Sequence, residues 1–172
     1  ASAGDPGGRL AGVTLKELPA GVGERYRARG PAVTIVVAAD PALPQVTADR
    51  GRLRQVLNNL ITNALEAVET VPDARVEVTT QISSGPAPKS AVIMVTDNGH
   101  GFDRDMLARV FDPYVTSKPR GTGLGLAIVK KIAEEHGGSI EANNRPEGGA
   151  YVRVVIPVAP QLQAAQAIRG MA

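Results

Sequence analysis

A glycine-rich loop runs directly into a helical pattern between Gly121 and Lys131. Its alternate glycines, Gly121, Gly123 and Gly125, let the backbone approach a ligand closely. From Leu126 the apolar residues recur at helical spacing. The loop therefore presents backbone N–H groups at a helix N-terminus, where the helix dipole favours an anion by ~0.3–2 kcal/mol. The spacing matches neither the dinucleotide fingerprint nor the Walker P-loop, so a phosphate site needs support from elsewhere in the chain; the alternative is a flexible loop before an ordinary helix.

Composition excludes several classes of function. The 172 residues suffice for one domain, and 19 basic and 17 acidic residues give a formal charge of only +2. Without a block of like charge, and with 3% aromatic residues, nucleic acid and membrane surfaces are not indicated as partners. The absence of cysteine excludes disulfides and a thiolate nucleophile. We expect a cytoplasmic domain, and leave open whether a longer parent protein is anchored in a membrane.

The pattern of the chain predicts three parts. Residues 1–13 are expected to be a disordered lead or linker, 14–158 the folded domain and 159–172 a tail or linker. The most regular helix is predicted after Asp49, an N-cap residue, because the apolar positions follow the i, i+3, i+4, i+7 rule without a miss at 53, 56, 57, 60, 61, 64, 65 and 68. Further helices are predicted over 14–29, 103–110 and from Leu126 to about His136.

Five segments have strand character, and the order of elements favours a mixed sheet over a purely wound βαβ array. The predicted strands are Val33–Ala39, Arg75–Ile82, Ala91–Val95, Ser139–Ala142 and Tyr151–Ile156. Residues 40–46 are expected to be a proline-rich connection.

Two groups of polar residues could carry chemistry. Asn59, Asn63 and Glu66 form one stripe on the regular helix, and an amide oxygen suits Mg²⁺; the alternative is a solvated face. Asp97 follows a buried strand, where a carboxylate can accept a hydrogen bond from an exocyclic amino group such as that of adenine. Gly99 and Gly101 leave room for a flat ring, although Asn-Gly turns also occur in hairpins.

The loop before the glycine cluster supplies hydroxyls and cations. Thr116, Ser117, Lys118 and Arg120 could close over phosphates, or could simply form a solvated basic loop. His100 and His136 have no acidic or cysteine partners at ligand spacing, so both are predicted to be structural or solvated.

These motifs occur in a recognisable order: Asn59-x-x-x-Asn63-Ala, Asp97-x-Gly-x-Gly101, Phe111-Asp-Pro-Tyr114, Gly121-x-Gly-x-Gly125-Leu and Gly148-Gly149. Over about residues 14–158 the chain resembles the ATP-binding family of gyrase, heat-shock-90 chaperones, MutL proteins and sensor histidine kinases. Within that family it resembles the catalytic domain of bacterial histidine kinases, most of all the nitrogen-regulation type.

The resemblance implies a two-layer α/β sandwich, the Bergerat fold, with a mixed five-stranded sheet and about three main helices on one face. It implies ATP and Mg²⁺ as cofactors, with Asn63 as the metal ligand and with Asn59, Asn63 and Lys118 as catalytic residues. The remaining nucleotide-binding residues would be Asp97, Gly99, Gly101, Thr116, Gly121, Thr122, Gly123, Leu124, Gly125 and Leu126. Two positions depart from the common pattern of this family: Glu66 stands where many members have a lysine, and Ala150 where many have a threonine.

The implied function is transfer of the ATP γ-phosphate to a histidine on a dimerisation segment, with a response regulator downstream. One alternative is an ATP-hydrolysing clamp, but such relatives carry a glutamate as general base where this chain has Asn59. Another is a nucleotide-binding module without turnover. Neither His100 nor His136 lies on a suitable acceptor helix, so we expect the phosphorylated histidine elsewhere in a larger protein.

Overall fold

A computed structural model of the chain describes residues 11–13, 33–39, 46–48, 50–83, 90–115 and 124–157. The predicted helix over 14–29, the cap at Asp49 and the tail at 159–172 lie outside these ranges. No helix among the described residues is long and apolar enough to cross a membrane.

The regular helix is confirmed as α1, Arg50–Ala67. Its apolar stripe is buried as the spacing predicts, with Leu53, Leu57 and Leu60 at most 1% exposed. Burial of each such side chain contributes ~1.5–3 kcal/mol, so this stripe fixes the helix against the sheet. Leu65, at the margin of the stripe, is only partly buried.

A mixed five-stranded sheet forms the other layer, in the order β2-β4-β5-β7-β6. The bounds are β2 Val33–Ala39, β4 Ala74–Ile82, β5 Ser90–Asp97, β6 Ser139–Asn144 and β7 Ala150–Pro157. Strands β2 and β4 are parallel, and the other neighbours are antiparallel. All five predicted strands are therefore confirmed, most of them a residue or two longer than predicted.

Two more helices are described: α2, Arg104–Leu107, and α3, Gly125–Glu135. Helix α2 is shorter than predicted, because turns replace the helix after Leu107. Helix α3 buries Leu126, Val129 and Ile132 and packs against α1. The inward-facing side chains of β4, β5 and β7 complete one core, so both long helices cover the same face of the sheet. The two-layer α/β architecture is as predicted.

A second, two-stranded sheet was not predicted. Strand β1, Ala11–Val13, pairs antiparallel with β3, Val46–Ala48. The last three residues of the expected disordered lead thus form a strand, and Val46 belongs to a strand instead of a connection. Three residues are too few to show an alternating pattern, which is why these strands escaped prediction.

Candidate functional site

Asp97 is a buried carboxylate at the end of the central strand β5. It is the last residue of the strand, and its side chain is on the face that the helices cover, with the residue only 5% exposed. Its Oδ1 accepts a hydrogen bond from the backbone N–H of Gly99 at 2.9 Å. This bond folds the chain back immediately after the strand and fixes the orientation of the carboxylate.

The segment that follows, residues 97–102, is called here the Asp97 loop. At Gly99 a Cβ would overlap the carbonyl oxygen of Ala67, the last residue of α1. Glycine is therefore required, because the loop passes directly against the end of the helix. The sequence predicted that Gly99 leaves space for a flat ring, but in the structure the backbone of Ala67 occupies the space beside Gly99.

The far end of the Asp97 loop is held by Asn144, the last residue of β6. Its Oδ1 accepts from the backbone N–H of Phe102 at 2.6 Å, and its Nδ2 donates to the carbonyl of Phe102 at 2.8 Å. Between them, Gly101 adopts a φ of 77°, a conformation that other residues rarely adopt. A Cβ at Gly101 would lie 2.7 Å from Asn144 Oδ1. The two hydrogen bonds between Asn144 and Phe102 therefore require a glycine at position 101.

Arg145 holds the near end of the same loop. Its guanidinium Nη1 donates to the carbonyl oxygen of Asp97 at 3.2 Å, and its Nη2 pairs with Glu147 at 2.6 Å. The backbone N–H of Arg145 donates to the carbonyl of Gly149 at 2.8 Å, which closes the turn between β6 and β7. Gly149 in turn lies so close to the Asp97 carbonyl that a side chain there would overlap it.

Asn98 binds the loop to β4 and the turn before it. The backbone N–H of Arg75 donates to Asn98 Oδ1 at 2.7 Å, and Asn98 Nδ2 donates to the Asp73 carbonyl at 2.9 Å. The sequence Asn98-Gly99 is thus not the turn of a hairpin, because β5 pairs with β4 and β7 and the chain continues to α2.

The asparagine stripe of α1 faces the beginning of α3. Asn59 Nδ2 donates to the carbonyl of Gly125 at 3.3 Å. Gly125 is the first residue of α3, and no side chain caps this helix through Leu124. A Cβ at Gly125 would meet nothing within 4 Å, so packing among the described residues does not require a glycine there. Asn63, one turn further along α1, is half-buried.

Two of these contacts lie on α1, at different points along the helix. Asn59 contacts α3 and Ala67 contacts the Asp97 loop; eight residues at 1.5 Å each separate them by about 12 Å. The carboxylate is therefore at one end of an elongated region and the start of α3 at the other. Among the predicted site residues, the structure brings Asn59 to Gly125 and Asp97 to Gly99. The other described members are Asn63, Gly101, Leu124 and Leu126. The predicted Thr116, Lys118, Gly121, Thr122 and Gly123 lie outside the described residues.

The donor set on α1 fits Mg²⁺ in chemistry. Asn63 and Asn59 carry amide oxygens, and a hard ion such as Mg²⁺ takes one or two protein oxygens while phosphates and waters complete its shell. No cluster of three or more histidine, cysteine, aspartate or glutamate side chains occurs within the described parts of the chain, so an all-protein metal cage is not formed there.

Glu147, an exposed acidic residue next to the Asp97 loop, has an altered pKa. The backbone N–H of Glu147, and then its hydrogen bond and ion pair with Arg145, hold the pKa of the Glu147 carboxyl below its ordinary value. Because Glu147 is exposed, solvent and salt weaken this pair.

The sequence alone missed Asn144, Arg145 and the structural role of Asn98. They act through main-chain contacts 23 to 48 residues away along the chain, which no local spacing encodes.

Two positions depart from the common pattern of the family that the sequence resembles. Ala150 is buried, pairs with Asn144 in the β6–β7 register and carries no hydroxyl, and Glu66 is exposed on α1. His100 contacts Thr70, and His136 lies at the end of α3 with Nδ1 2.8 Å from the carbonyl of Ile132, as expected of structural histidines.

Comparison with known proteins shows which family the chain resembles. Residues 48–160 match the family described as histidine kinase-, DNA gyrase B- and HSP90-like ATPases. The nitrogen regulation protein NtrY of Azorhizobium caulinodans is 44% identical over 128 residues, which cover 73% of this chain and 16% of NtrY. The chain thus spans less than a fifth of that relative.

Solved structures show the same fold. Full-length ShkA in complex with AMPPNP matches with a TM-score of 0.74 and 33% identity, over 87% of this chain and 31% of ShkA. Histidine kinase ThkA in complex with the response regulator TrrA matches with a TM-score of 0.70 and 27% identity, over 88% of this chain and 42% of ThkA.

Proposed function

This chain belongs to the family of histidine kinase-, DNA gyrase B- and HSP90-like ATPases, and we propose that it binds Mg-ATP and donates the γ-phosphate to a histidine of a partner helical segment. Asp97 would accept a hydrogen bond from the adenine amino group, since it is a buried carboxylate fixed at the end of a strand. The phosphates would extend along α1 toward the start of α3, where the helix dipole and the N–H groups of the first turn favour anions.

The observation that carries the choice of a kinase is the amide of Asn59. It donates to the Gly125 carbonyl at 3.3 Å and cannot take a proton from water. Water activation would require a carboxylate at this position, so the hydrolysing clamp is disfavoured. Within the reaction, Asn59 holds α1 against the first turn of α3 and thereby keeps the phosphate end of the site in place.

Asn63 would hold Mg²⁺ through its amide oxygen, and the ion when bound would neutralise charge on the phosphate oxygens. Lys118 would add a cation near the same phosphates. In the transfer a histidine nitrogen forms a bond to the γ-phosphorus, the bond to the β–γ bridging oxygen breaks, and ADP leaves. The protein's contribution is mainly positioning and charge stabilisation.

Two partners follow from this proposal. The acceptor would be a dimerisation segment of the same kinase, because the His136 ring contacts the carbonyl of Ile132 within α3 and the His100 ring contacts Thr70, so that neither histidine projects from a helix of its own. A response regulator would receive the phosphoryl group afterwards; the complex of ThkA with TrrA supports a partner of this class.

An acid-labile phosphohistidine assay with labelled ATP tests the proposal. The isolated chain should bind Mg-ATP, release phosphate very slowly and not label itself. Adding the dimerisation segment of the parent protein should give labelled histidine on that segment, and Asn63→Ala should abolish the label. Rapid hydrolysis by the isolated chain, or transfer that is unaffected by Asn63→Ala, would contradict the kinase mechanism.

A further inference from the structure

The Asp97 loop is anchored at both ends by two adjacent residues, Asn144 and Arg145. Asn144 pairs with both backbone groups of Phe102, and Arg145 binds the carbonyl of Asp97 itself. Asn144 ends the edge strand β6 and Arg145 follows it, and neither residue was predicted to contact the nucleotide. We propose that Asn144 and Arg145 are positioning residues that set the selectivity for adenine by fixing the carboxylate of Asp97. This inference rests on the proposed binding of ATP.

The geometry explains how a contact to the main chain could control the side chain. The Asp97 carboxylate is oriented from inside the loop by the Gly99 N–H, whose position depends on the path of the backbone. Arg145 fixes the carbonyl at the start of that path, and Asn144 fixes Phe102 at its end. A hydrogen bond weakens when its angle departs far from linearity, so a displacement of the loop that turns the Asp97 carboxylate away from the base reduces that bond.

Arg145 is itself held in place. Its side chain is only 26% exposed, and Glu147 at 2.6 Å orients the guanidinium so that Nη1 faces the Asp97 carbonyl. The backbone bond from Arg145 to Gly149 anchors the same residue in the turn. The planar guanidinium can serve both partners at once, whereas a lysine ammonium on a flexible chain is less well oriented.

The test compares ADP with inosine diphosphate, which has a carbonyl oxygen in place of the adenine amino group. Calorimetry on the whole chain should show that Arg145→Gln weakens ADP about fivefold, the usual effect of one lost hydrogen bond, and leaves inosine diphosphate unchanged. Asn144→Ala should likewise reduce the preference for ADP over inosine diphosphate. Arg145→Lys should retain more of this preference than Arg145→Gln does. Arg153→Gln removes the same charge from the outer face of the sheet, where Arg153 contacts Glu141, and should leave both affinities unchanged.

A double-mutant cycle separates positioning from a general loss of structure. In an Asp97→Asn background, Arg145→Gln should have no further effect on the ratio, because the carboxylate that it positions is gone. If wild type prefers ADP and Arg145→Gln retains the full preference, the inference is overturned while nucleotide binding stands. If wild type binds neither nucleotide, the proposed function itself is wrong. If Asn144→Ala does not fold, Arg145→Gln alone decides.

Discussion

The side-chain amide of Asn59 donates a hydrogen bond to the main-chain carbonyl of Gly125, with 3.3 Å between Nδ2 and the oxygen. The bond joins the middle of α1 to the first residue of α3 across 66 positions of sequence. It therefore ties the asparagine stripe to the helix start at which the glycine-rich loop ends. An amide can make this bond and a carboxylate cannot, which gives the position a structural reason to differ from a glutamate base.

Asn59→Asp should accordingly lower stability. Aspartate keeps the shape but loses the donor and places a negative charge opposite a carbonyl, so we expect a loss of about 1–2 kcal/mol in the free energy of unfolding. Urea unfolding followed by circular dichroism measures this. Gln81→Glu is the matched control, because it makes the same amide-to-acid change at an exposed position of β4. Equal effects of both substitutions would argue against the bond to Gly125.

Asp97→Asn should separate binding from folding. The asparagine oxygen can still accept the bond from the Gly99 N–H, so the loop should keep its path. The hydrogen bond from adenine to a charged acceptor is lost, and its ~1.5–3 kcal/mol corresponds to about one to two decades in ADP affinity. Calorimetry measures the affinity. Asp103→Asn is the control, since Asp103 is exposed and its side chain makes no cap bond to α2. Unchanged ADP affinity in Asp97→Asn would refute the assignment of this carboxylate.

Two glycines in the site should respond oppositely to alanine. At Gly99 the new methyl group would overlap the carbonyl of Ala67, so Gly99→Ala should destabilise the fold by ~1–3 kcal/mol and weaken ADP as the loop shifts. At Gly125 the methyl group, at the start of a helix, would meet no atom of the described residues within 4 Å, so stability should be unchanged or raised. Thermal unfolding of both variants checks the contrast; comparable losses would show that the close approach at Gly99 is unimportant.

Glu147 should titrate below its ordinary pKa. Its backbone N–H and then Arg145 favour the charged form, so the folded-state pKa is lower than the unfolded one. The stabilisation is therefore present above the unfolded pKa and is lost as the pH falls through the folded pKa. Carboxyl NMR of the wild type and of Arg145→Gln measures this. The variant should move the pKa part of the way back, because the backbone bond remains; an identical pKa in both would exclude a contribution from Arg145.

Residues whose environment is local were predicted well. The stripe of α1 and the alternation of β4 emerge from burial on one face, which a period of 3.6 or 2 residues records directly. The position of Asp97 at the end of a buried strand was predicted because this residue follows an apolar run. Asn144 and Arg145 were missed because their significance depends on the antiparallel pairing of β6 with β7 and of β7 with β5, which brings the end of β6 to the loop that follows β5. The functional roles of all the predicted site residues, including Asn59, Asn63, Asp97 and Lys118, stay predictions.

Strand β2 has a consequence for how far the chain can be shortened. The family match begins at residue 48, whereas β2, Val33–Ala39, supplies all seven register partners along one side of β4 from Ala74 to Thr80. A fragment that begins at residue 48 would keep Asn59, Asn63 and Asp97 but leave the N–H and C=O groups on that side of β4 without their strand partner. Exposed strand edges recruit other strands, so such a fragment should self-associate and precipitate even though it retains these three side chains.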